Sequence, residues 1–235
     1  MCGRFALTIS PTALAKLFQL DDVSSLEASY NIAPSQPVAS VVQPDDSSER
    51  ILKMFRWGLI PHWAKDPAIG NRMINARCET VAEKPAFRSA YKSKRCLIPA
   101  DGFYEWQKLK RGKQPFFIHL HDKIPMAFAG LYQHWHAPDE TVIESCTILT
   151  AAANDLMKPI HDRMPIIVAP ADFPLWLDNI TYKPKQLEKL LQPFPADKMI
   201  AYPVSTFVNS PRNNTPQCLE PIDPETSKGK NLFDD

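Results

Sequence analysis

Residues 95–131, which read RCLIPADGFYEWQKLKRGKQPFFIHLHDKIPMAFAGL, decide the fold class of this 235-residue chain. Runs rich in aromatic and β-branched side chains alternate there with Gly, Pro and charged residues. This composition is typical of antiparallel strands joined by turns. The strands predicted within this stretch are 95–100, 103–108, 115–120 and 126–131.

The same pattern extends to both sides of that stretch, with further strands predicted at 38–42, 51–57, 142–150 and 199–204. Helices are predicted where capping signals precede apolar residues at helical spacing. They follow Ser10-Pro11, run from Thr80 to about residue 91, and occupy 169–177 and 185–191. Because most strands are neighbours in sequence, we expect an α+β fold with a mainly antiparallel, barrel-like sheet and flanking helices.

The length of the chain predicts a single domain, which we place at residues 1–208. Residues 30–34 and 58–70 are expected to form loops, because each contains turn-forming residues and proline. From Asn209 onward the sequence is rich in Pro, Asn, Asp and Lys, so residues 209–235 are predicted to be an extended or disordered tail.

The composition argues against a membrane protein, a zinc ribbon and a disulfide-stabilised fold. No apolar run is long enough to cross a bilayer and no signal segment precedes the first motif, so we expect a monomeric protein of the cytoplasm, nucleoid or nucleus without membrane contact. Five cysteines without a CxxC pair indicate neither a zinc ribbon nor a disulfide framework. Two His-x-His pairs lack a completing ligand at close spacing, so no metal and no cofactor is predicted; they are His119/His121 and His134/His136.

The charge is uneven, although the net charge is only +1. Residues 72–113 carry eleven Lys or Arg and four Asp or Glu, a local excess of +7 that leaves −6 for the remainder. A nearly neutral chain with one basic region is typical of a localised anion-binding surface. A solvated basic loop is the alternative.

Cys2 is the first candidate for chemistry. The small residue after Met1 favours removal of that methionine, which would leave Cys2 with a free α-amine beside its thiol. Such an aminothiol condenses with an aldehyde to an imine, and its thiol then closes a five-membered thiazolidine. The amine titrates near ~8 and the thiol near ~8.5 in unperturbed peptides, so both are usable near neutrality. The alternative is an incidental residue at a loose terminus.

Three further polar segments carry candidate side chains. Glu105 stands between Tyr104 and Trp106, where apolar surroundings would raise its pKa and make it a general acid; a surface glutamate is the alternative. His161 lies in a proline-bounded loop and can transfer protons near pH 7, unless it is merely structural. Asn75 and Arg77 share a face of a short extended segment, suited to a sugar oxygen and a phosphate respectively; the alternative is that they only satisfy loop backbone groups.

Six motifs in this order and spacing resemble the SRAP family (SOS response-associated peptidase). The resemblance runs from Cys2 to about residue 208, with departures in the 57–71 loop and in the tail. The motifs are Met1–Phe5 (MCGRF), 30–34 (YNIAP), 57–61 (WGLIP), 74–80 (INARCET), 101–106 (DGFYEW) and 160–165 (IHDRMP).

The resemblance implies a protein of the DNA damage response that binds single-stranded DNA and single-strand/double-strand junctions and captures abasic sites. Cys2 would form a thiazolidine cross-link, Glu105 would act as acid and base, His161 would assist proton transfer and reversal, and Asn75 would position the sugar. Phosphates would be held by Arg4, Arg77 and Arg163, and bases would stack on Pro34, Trp63 and Trp106.

Two rival functions remain open. The family's name implies a thiol peptidase in which Cys2 is the nucleophile and His161 the base. Both activities can coexist, with self-removal of Met1 or release of the cross-link as the hydrolytic step, and a lyase-like activity is expected as well. A non-catalytic DNA-binding module is the third possibility, for which the basic region 72–113 alone would suffice.

Overall fold

The computed structural model describes residues 2–21, 23, 26–45 and 47–222. The strands in this part of the chain are β1 (Phe5–Leu7), β2 (Ser29–Ile32), β3 (Pro37–Val42), β4 (Ile51–Trp57), β5 (Asn75–Arg77), β6 (Arg95–Ala100), β7 (Gly102–Lys108), β8 (Lys113–Leu120), β9 (Met126–His136), β10 (Val142–Ala152), β11 (Arg163–Pro165) and β12 (Met199–Pro203). The α-helices are α1 (Pro11–Phe18), α2 (Arg88–Ser93), α3 (Phe173–Leu177) and α4 (Pro184–Leu190). Short 3-10 helices occupy Pro67–Arg72, Cys78–Thr80, His121–Lys123, Pro170–Asp172, Ala196–Lys198, Thr206–Asn209 and Pro216–Leu219.

A closed barrel forms the larger half of the fold. Its strands follow the order β10-β4-β3-β6-β9, and β9 pairs with β10 to close the ring. All of these pairings are antiparallel except β4 with β10. Two short strands, β5 and β11, extend the sheet beyond the ring through β10. Closure removes the exposed sheet edges that would otherwise invite pairing with other chains.

The second sheet has the order β12-β8-β7-β1-β2 and is antiparallel throughout. Its strand β1 sends Phe5 into the main core, where the ring lies 5.2 Å from Trp57 and 5.8 Å from Phe128 between centroids. Edge-to-face aromatic packing of this kind stabilises a core beyond simple burial. The start of the chain is therefore held between the two sheets.

The fold class predicted from the sequence is confirmed. The predicted strands are observed with ends shifted by up to two residues, except that β9 continues five residues beyond its predicted end at 131. The predicted hairpin is β3 and β4, and Ser10 caps α1 by accepting a hydrogen bond from the Ala13 amide at 3.3 Å. No helix in the described part of the chain has the length and apolar character needed to cross a bilayer.

Two local predictions are wrong. The helix predicted from Thr80 to about residue 91 is reduced to α2, because Pro85 lacks an amide hydrogen and disfavours a helical conformation at Lys84. Residues 30–34 were expected to form a loop, yet their first part is strand β2, which pairs with β1 through Phe5 and Ile32. The loop begins only after that pairing ends.

The predicted tail also requires correction for residues 209–222. Cys218 is buried in a small cluster with Val208 and Tyr104, and the amide of Ile222 donates to the Pro203 carbonyl at 3.0 Å. This segment packs against the five-stranded sheet although its Pro- and Asn-rich composition is typical of disorder. Residues 223–235 lie outside the described residues, and the domain boundary at 208 stays a prediction.

Candidate functional site

Cys2 lies where the two sheets meet and is fully buried, at 0% exposure. The pairing of β1 with β7 fixes its surroundings, since Phe5 lies opposite Phe103 and the Tyr104 amide donates to the Arg4 carbonyl at 2.9 Å. Continuing this antiparallel register brings the residues that follow Tyr104 beside Cys2. A terminal residue in such a position is anchored, which removes the loose-terminus alternative.

Asn75 fastens Cys2 from the barrel side. It begins β5, which runs parallel to β10, and its Nδ2 donates to the Cys2 carbonyl at 2.7 Å. The Asn75 Oδ1 is buried and has no hydrogen-bond partner among the described residues. Because leaving a buried acceptor unsatisfied is costly, this oxygen is ready to accept a donor from a bound group.

Glu105 faces Cys2 from β7 and is only 3% exposed. Burial raises the pKa of Glu105 to about 7, so both its acid and base forms are populated near neutral pH. Burial, together with the negative charge of Glu105, raises the pKa of the Cys2 thiol well above its usual range. The pair therefore combines a poised carboxyl group with a thiol that stays protonated.

His161 precedes β11 in a loop that is tied to β7 by a hydrogen bond from Gln107 Nε2 to the Pro159 carbonyl at 3.0 Å. Its Nδ1 lies 3.0 Å from the Arg163 amide nitrogen and 2.8 Å from Asp162 Oδ1. A neutral ring accepts the amide hydrogen at Nδ1, whereas a protonated ring donates Nδ1–H to the carboxylate. Burial lowers the pKa of His161, which favours the neutral form.

Arg4 and Trp106 form a cationic and aromatic corner next to Cys2. The Arg4 guanidinium lies 5.8 Å from the Trp106 ring centroid, and its Nη1 donates to Asn31 Oδ1 at 2.7 Å and to the Val208 carbonyl at 2.8 Å. Trp106 Nε1 donates to Asn209 Oδ1 at 2.7 Å. Both side chains are held by neutral acceptors, so the charge of Arg4 is not cancelled by a carboxylate in these contacts.

Asn31 is a residue that sequence reasoning missed. It is 1% exposed, and its Nδ2 reaches three backbone carbonyls at 2.7–3.2 Å, those of Val208, Ser210 and Asn213. Residues 206–214, here called the C-terminal strap, are thus fastened to β2 and to Arg4. The only sequence signal was the position of Asn31 inside a motif of the family, since the strap itself reads as a tail.

The remaining two arginines differ in availability. Arg77 is exposed at the end of β5, opposite Thr150 of β10. The Arg163 side chain is 14% exposed and donates to both carboxylate oxygens of Glu79, at 2.7 and 2.9 Å, and to the Thr150 carbonyl. The hydrogen bonds that Arg163 donates to Glu79 lower the pKa of Glu79. Arg77 fits the expected phosphate contact directly, whereas Arg163 is already occupied.

Pro34 and Trp63 lie on loops outside the hydrogen-bond network around Cys2. Pro34 is half-buried in the turn after β2, and Trp63 is 50% exposed in the loop between β4 and β5. That loop is anchored where Trp135 Nε1 donates to the Ala64 carbonyl at 2.7 Å. The structure therefore does not bring these two residues into the Cys2 cluster, and their proposed role in base stacking depends on how DNA lies across the surface.

The His-x-His pairs have other partners. His119 Nδ1 lies 2.6 Å from the Leu120 carbonyl, and His134 Nε2 lies 3.0 Å from Glu144 Oε1. Among the described residues, no group of three or more His, Cys, Asp or Glu side chains is arranged to hold a metal ion.

Comparison with known proteins decides the family. The model of the family described as SOS response associated peptidase (SRAP) matches residues 1–211. The chain belongs to the SRAP family. The membership predicted from the six motifs is thereby confirmed, and the match covers the barrel, the second sheet and the first part of the C-terminal strap.

Curated SRAP relatives align over nearly the whole chain. Abasic site processing protein YoqW of Bacillus subtilis is 47% identical over 224 residues, which cover 94% of this chain and 99% of that protein. Abasic site processing protein HMCES of Xenopus tropicalis is 35% identical and covers 99% of this chain and 82% of that protein. A crystal structure of a Bacteroides thetaiotaomicron protein superposes with a TM-score of 0.83 at 28% identity, covering 94% of this chain and all of that one.

Proposed function

We propose that this SRAP protein processes abasic sites in DNA by forming a covalent cross-link through Cys2. The observation that carries the proposal is the anchoring of Cys2, fully buried, between Asn75 and the poised carboxyl group of Glu105. The names of the curated relatives support the substrate class. By this reading the protein shields abasic sites in single-stranded DNA and at single-strand/double-strand junctions.

The reaction begins after Met1 is removed, when Cys2 has a free α-amine. The ring-opened abasic sugar offers an aldehyde, and the amine nitrogen adds to its carbon to give a carbinolamine. Loss of the hydroxyl group as water gives an imine. The Cys2 sulfur then adds to the imine carbon while its proton moves to nitrogen, which closes the thiazolidine ring. The ring closure is intramolecular and needs no further encounter.

Glu105 and His161 supply the proton transfers. A carboxyl group with a pKa of about 7 can relay a proton from the attacking nitrogen to the aldehyde oxygen, and in its acid form it then protonates the hydroxyl group that leaves as water. The unsatisfied Asn75 Oδ1 is suited to accept a hydrogen bond from the Cys2 amine or from a sugar hydroxyl. His161, which can exchange its Nδ1 partner between an amide and a carboxylate, assists proton transfer and reversal of the cross-link.

DNA is held by a cationic and aromatic rim around this pocket. Arg4 and Arg77 contact phosphates next to the abasic site, and Arg163 joins them when its own partner is displaced. Trp106, Trp63 and Pro34 support the flanking bases, since stacking on aromatic rings tolerates any base sequence.

A thiol peptidase is the second candidate function, and the geometry favours it less. Such an enzyme needs a thiolate, or a thiol easily deprotonated by its base. Burial and the charge of Glu105 have the opposite effect, because they keep the Cys2 thiol protonated. An amine that attacks first and a neutral thiol that closes the ring match this environment better.

A denaturing gel tests the proposal. Protein incubated with single-stranded DNA that contains one abasic site should give a shifted band, and intact DNA of the same sequence should give none. Cys2→Ala should abolish the band, whereas Cys78→Ala, which removes a half-buried thiol on the neighbouring segment, should retain it. An undiminished band from Cys2→Ala would refute the cross-link, and binding of both DNAs without any band would leave only a non-catalytic module.

A further inference from the structure

We propose that Glu79 limits the affinity of the DNA site because it competes with backbone phosphate for Arg163. The inference rests on the proposed function and concerns the same surface. Glu79 is assigned no role by the chemistry at Cys2. It lies 84 residues from Arg163 in sequence, and the fold brings the two side chains into a bidentate pair.

The donors of Arg163 are almost fully used. Its Nη1 and Nη2 form the end-on edge of the guanidinium, and each donates to one oxygen of Glu79 at 2.7 and 2.9 Å. Nη2 also donates to the carbonyl and hydroxyl oxygens of Thr150, which blocks the side-on edge formed with Nε. A phosphate that binds an arginine in two-point fashion needs one of these edges.

Displacing Glu79 is the easier way to free an edge. Thr150 belongs to the barrel strand β10 and cannot withdraw, whereas about half of the Glu79 side chain, 49%, is exposed to solvent. A carboxylate that rotates outward regains hydration and leaves the end-on edge of Arg163 open. Arg163 Nε is buried without a hydrogen-bond partner among the described residues, so the guanidinium still has one donor that lacks an acceptor.

Arg4 provides a contrast with Arg163. The acceptors of Arg4 in the structure are an amide oxygen and a backbone carbonyl, neither of which carries a charge. A phosphate near Arg4 therefore meets no competing anion in these contacts. At Arg163, by contrast, Glu79 lowers the affinity for the DNA backbone, whether or not the DNA contains an abasic site. Weak reversible binding lets intact DNA leave, while an abasic strand is retained by its covalent bond.

The test measures the affinity for intact single-stranded DNA, in which no covalent step occurs. Fluorescence anisotropy with a labelled oligonucleotide at several KCl concentrations gives both the affinity and its salt dependence. Glu79→Gln should bind about three- to five-fold more tightly at low salt, since an exposed ion pair of this kind is worth little more. The log–log slope against salt should steepen by about 0.7, the value for one additional phosphate on a single strand.

Two controls keep the result specific. Glu83→Gln makes the same change of charge at an exposed position on the same segment and should leave affinity and slope near those of the wild type. In a protein that already carries Arg163→Gln, the Glu79→Gln change should have no more effect than Glu83→Gln. Glu79→Asp retains the negative charge but shortens the side chain, and it should keep the wild-type slope. This variant therefore separates the effect of charge from the effect of side-chain length.

Several outcomes would overturn the inference. If Glu79→Gln has an unchanged melting temperature and binds no more tightly than the wild type, then Glu79 does not compete with phosphate for Arg163. An equal gain from Glu83→Gln would reduce the effect to general electrostatics. Absence of any binding by the wild type would instead contradict the proposed function itself, so the two failures are distinguishable.

Discussion

Glu105 and Arg77 illustrate two environments within one candidate site. Glu105 is 3% exposed on β7, and burial raises its pKa to about 7. Arg77 is exposed on β5, only two residues from Asn75, which holds Cys2. A few residues of the fold thus separate a buried position, where a carboxyl group changes its acidity, from an exposed rim that carries an arginine.

The difference separates the energetic roles of the two regions. At a buried site, electrostatic interactions are strong and few groups can donate a proton to the reacting atoms or accept one from them. Removal of one such group therefore affects the rate of reaction. On the rim, water and salt screen each charge, so each contact adds little and adds it in a salt-dependent way. Changes to the pocket should alter rates by orders of magnitude, and changes to the rim should alter affinity by small factors.

Glu105→Gln should produce the largest effect on rate among these changes. Loss of a general acid and base is expected to slow cross-linking by about 10²–10⁴-fold, because the leaving hydroxyl group and the attacking nitrogen then lose the Glu105 carboxyl group as their proton partner. Single-turnover gels measure the rate, and anisotropy should show intact-DNA affinity close to the wild type. Wild-type cross-linking by this variant would remove Glu105 from the mechanism.

The pH profile of the same reaction tests the environment of Glu105. Cross-linking should fall as pH rises above about 8, because the acid form of Glu105, whose pKa is about 7, is then depleted while the α-amine is already unprotonated. It should also fall at low pH, where the α-amine is protonated, since that group titrates near ~8. The resulting bell should lose its alkaline limb in Glu105→Gln. An unchanged alkaline limb would assign that limb to another group.

Asn31→Ala should have an intermediate effect, on stability rather than chemistry. The change leaves the Ser210 and Asn213 carbonyls without their Asn31 donor and Arg4 with the Val208 carbonyl as its remaining acceptor, so unfolding should become easier by about 3 kcal/mol. Asn71 supplies a matched control, because it also accepts from an arginine, Arg56 Nη2 at 2.7 Å, but is exposed. Asn71→Ala should cost less than about 1 kcal/mol. Equal costs in urea unfolding would show that burial of the Asn31 network contributes nothing.

Arg77→Ala should show the smallest effect. Removing one exposed phosphate contact should weaken binding to intact single-stranded DNA by a few-fold and flatten the log–log salt slope by about 0.7. Lys16→Ala removes the same charge from an exposed position on α1 and should leave the slope unchanged. A slope unaffected by Arg77→Ala would show that this side chain does not contact a phosphate.

The sequence predicted the fold well because strand patterns are local. Alternating apolar and β-branched residues specified the strands of the barrel, and Ser10-Pro11 specified the start of α1. The helix from Thr80 failed because a capping pattern says nothing about Pro85 five residues later. The packing of the C-terminal strap was also missed, since it depends on the buried amide of Asn31 rather than on the composition of residues 206–214.

The candidate site was predicted less from spacing than from the family resemblance. Cys2, Asn75 and Glu105 are separated by long stretches of sequence, and only the fold brings them together. The chemistry of each side chain could be anticipated, whereas its partners could not. Arg163 is the example, because a free phosphate-binding arginine was expected and a guanidinium paired with Glu79 is observed.

The central claim is that the α-amine of Cys2 becomes part of the cross-link, and a retained N-terminal extension tests it most directly. In such a variant the Cys2 nitrogen is an amide, which is not basic and cannot form an imine. The thiol could still add to the aldehyde, but that hemithioacetal is reversible and would not survive denaturation. Protein whose intact mass shows Met1 missing should give a heat-stable band with abasic DNA. The extended variant should bind the same DNA and give none, and a heat-stable band from it would contradict the ring-closing mechanism.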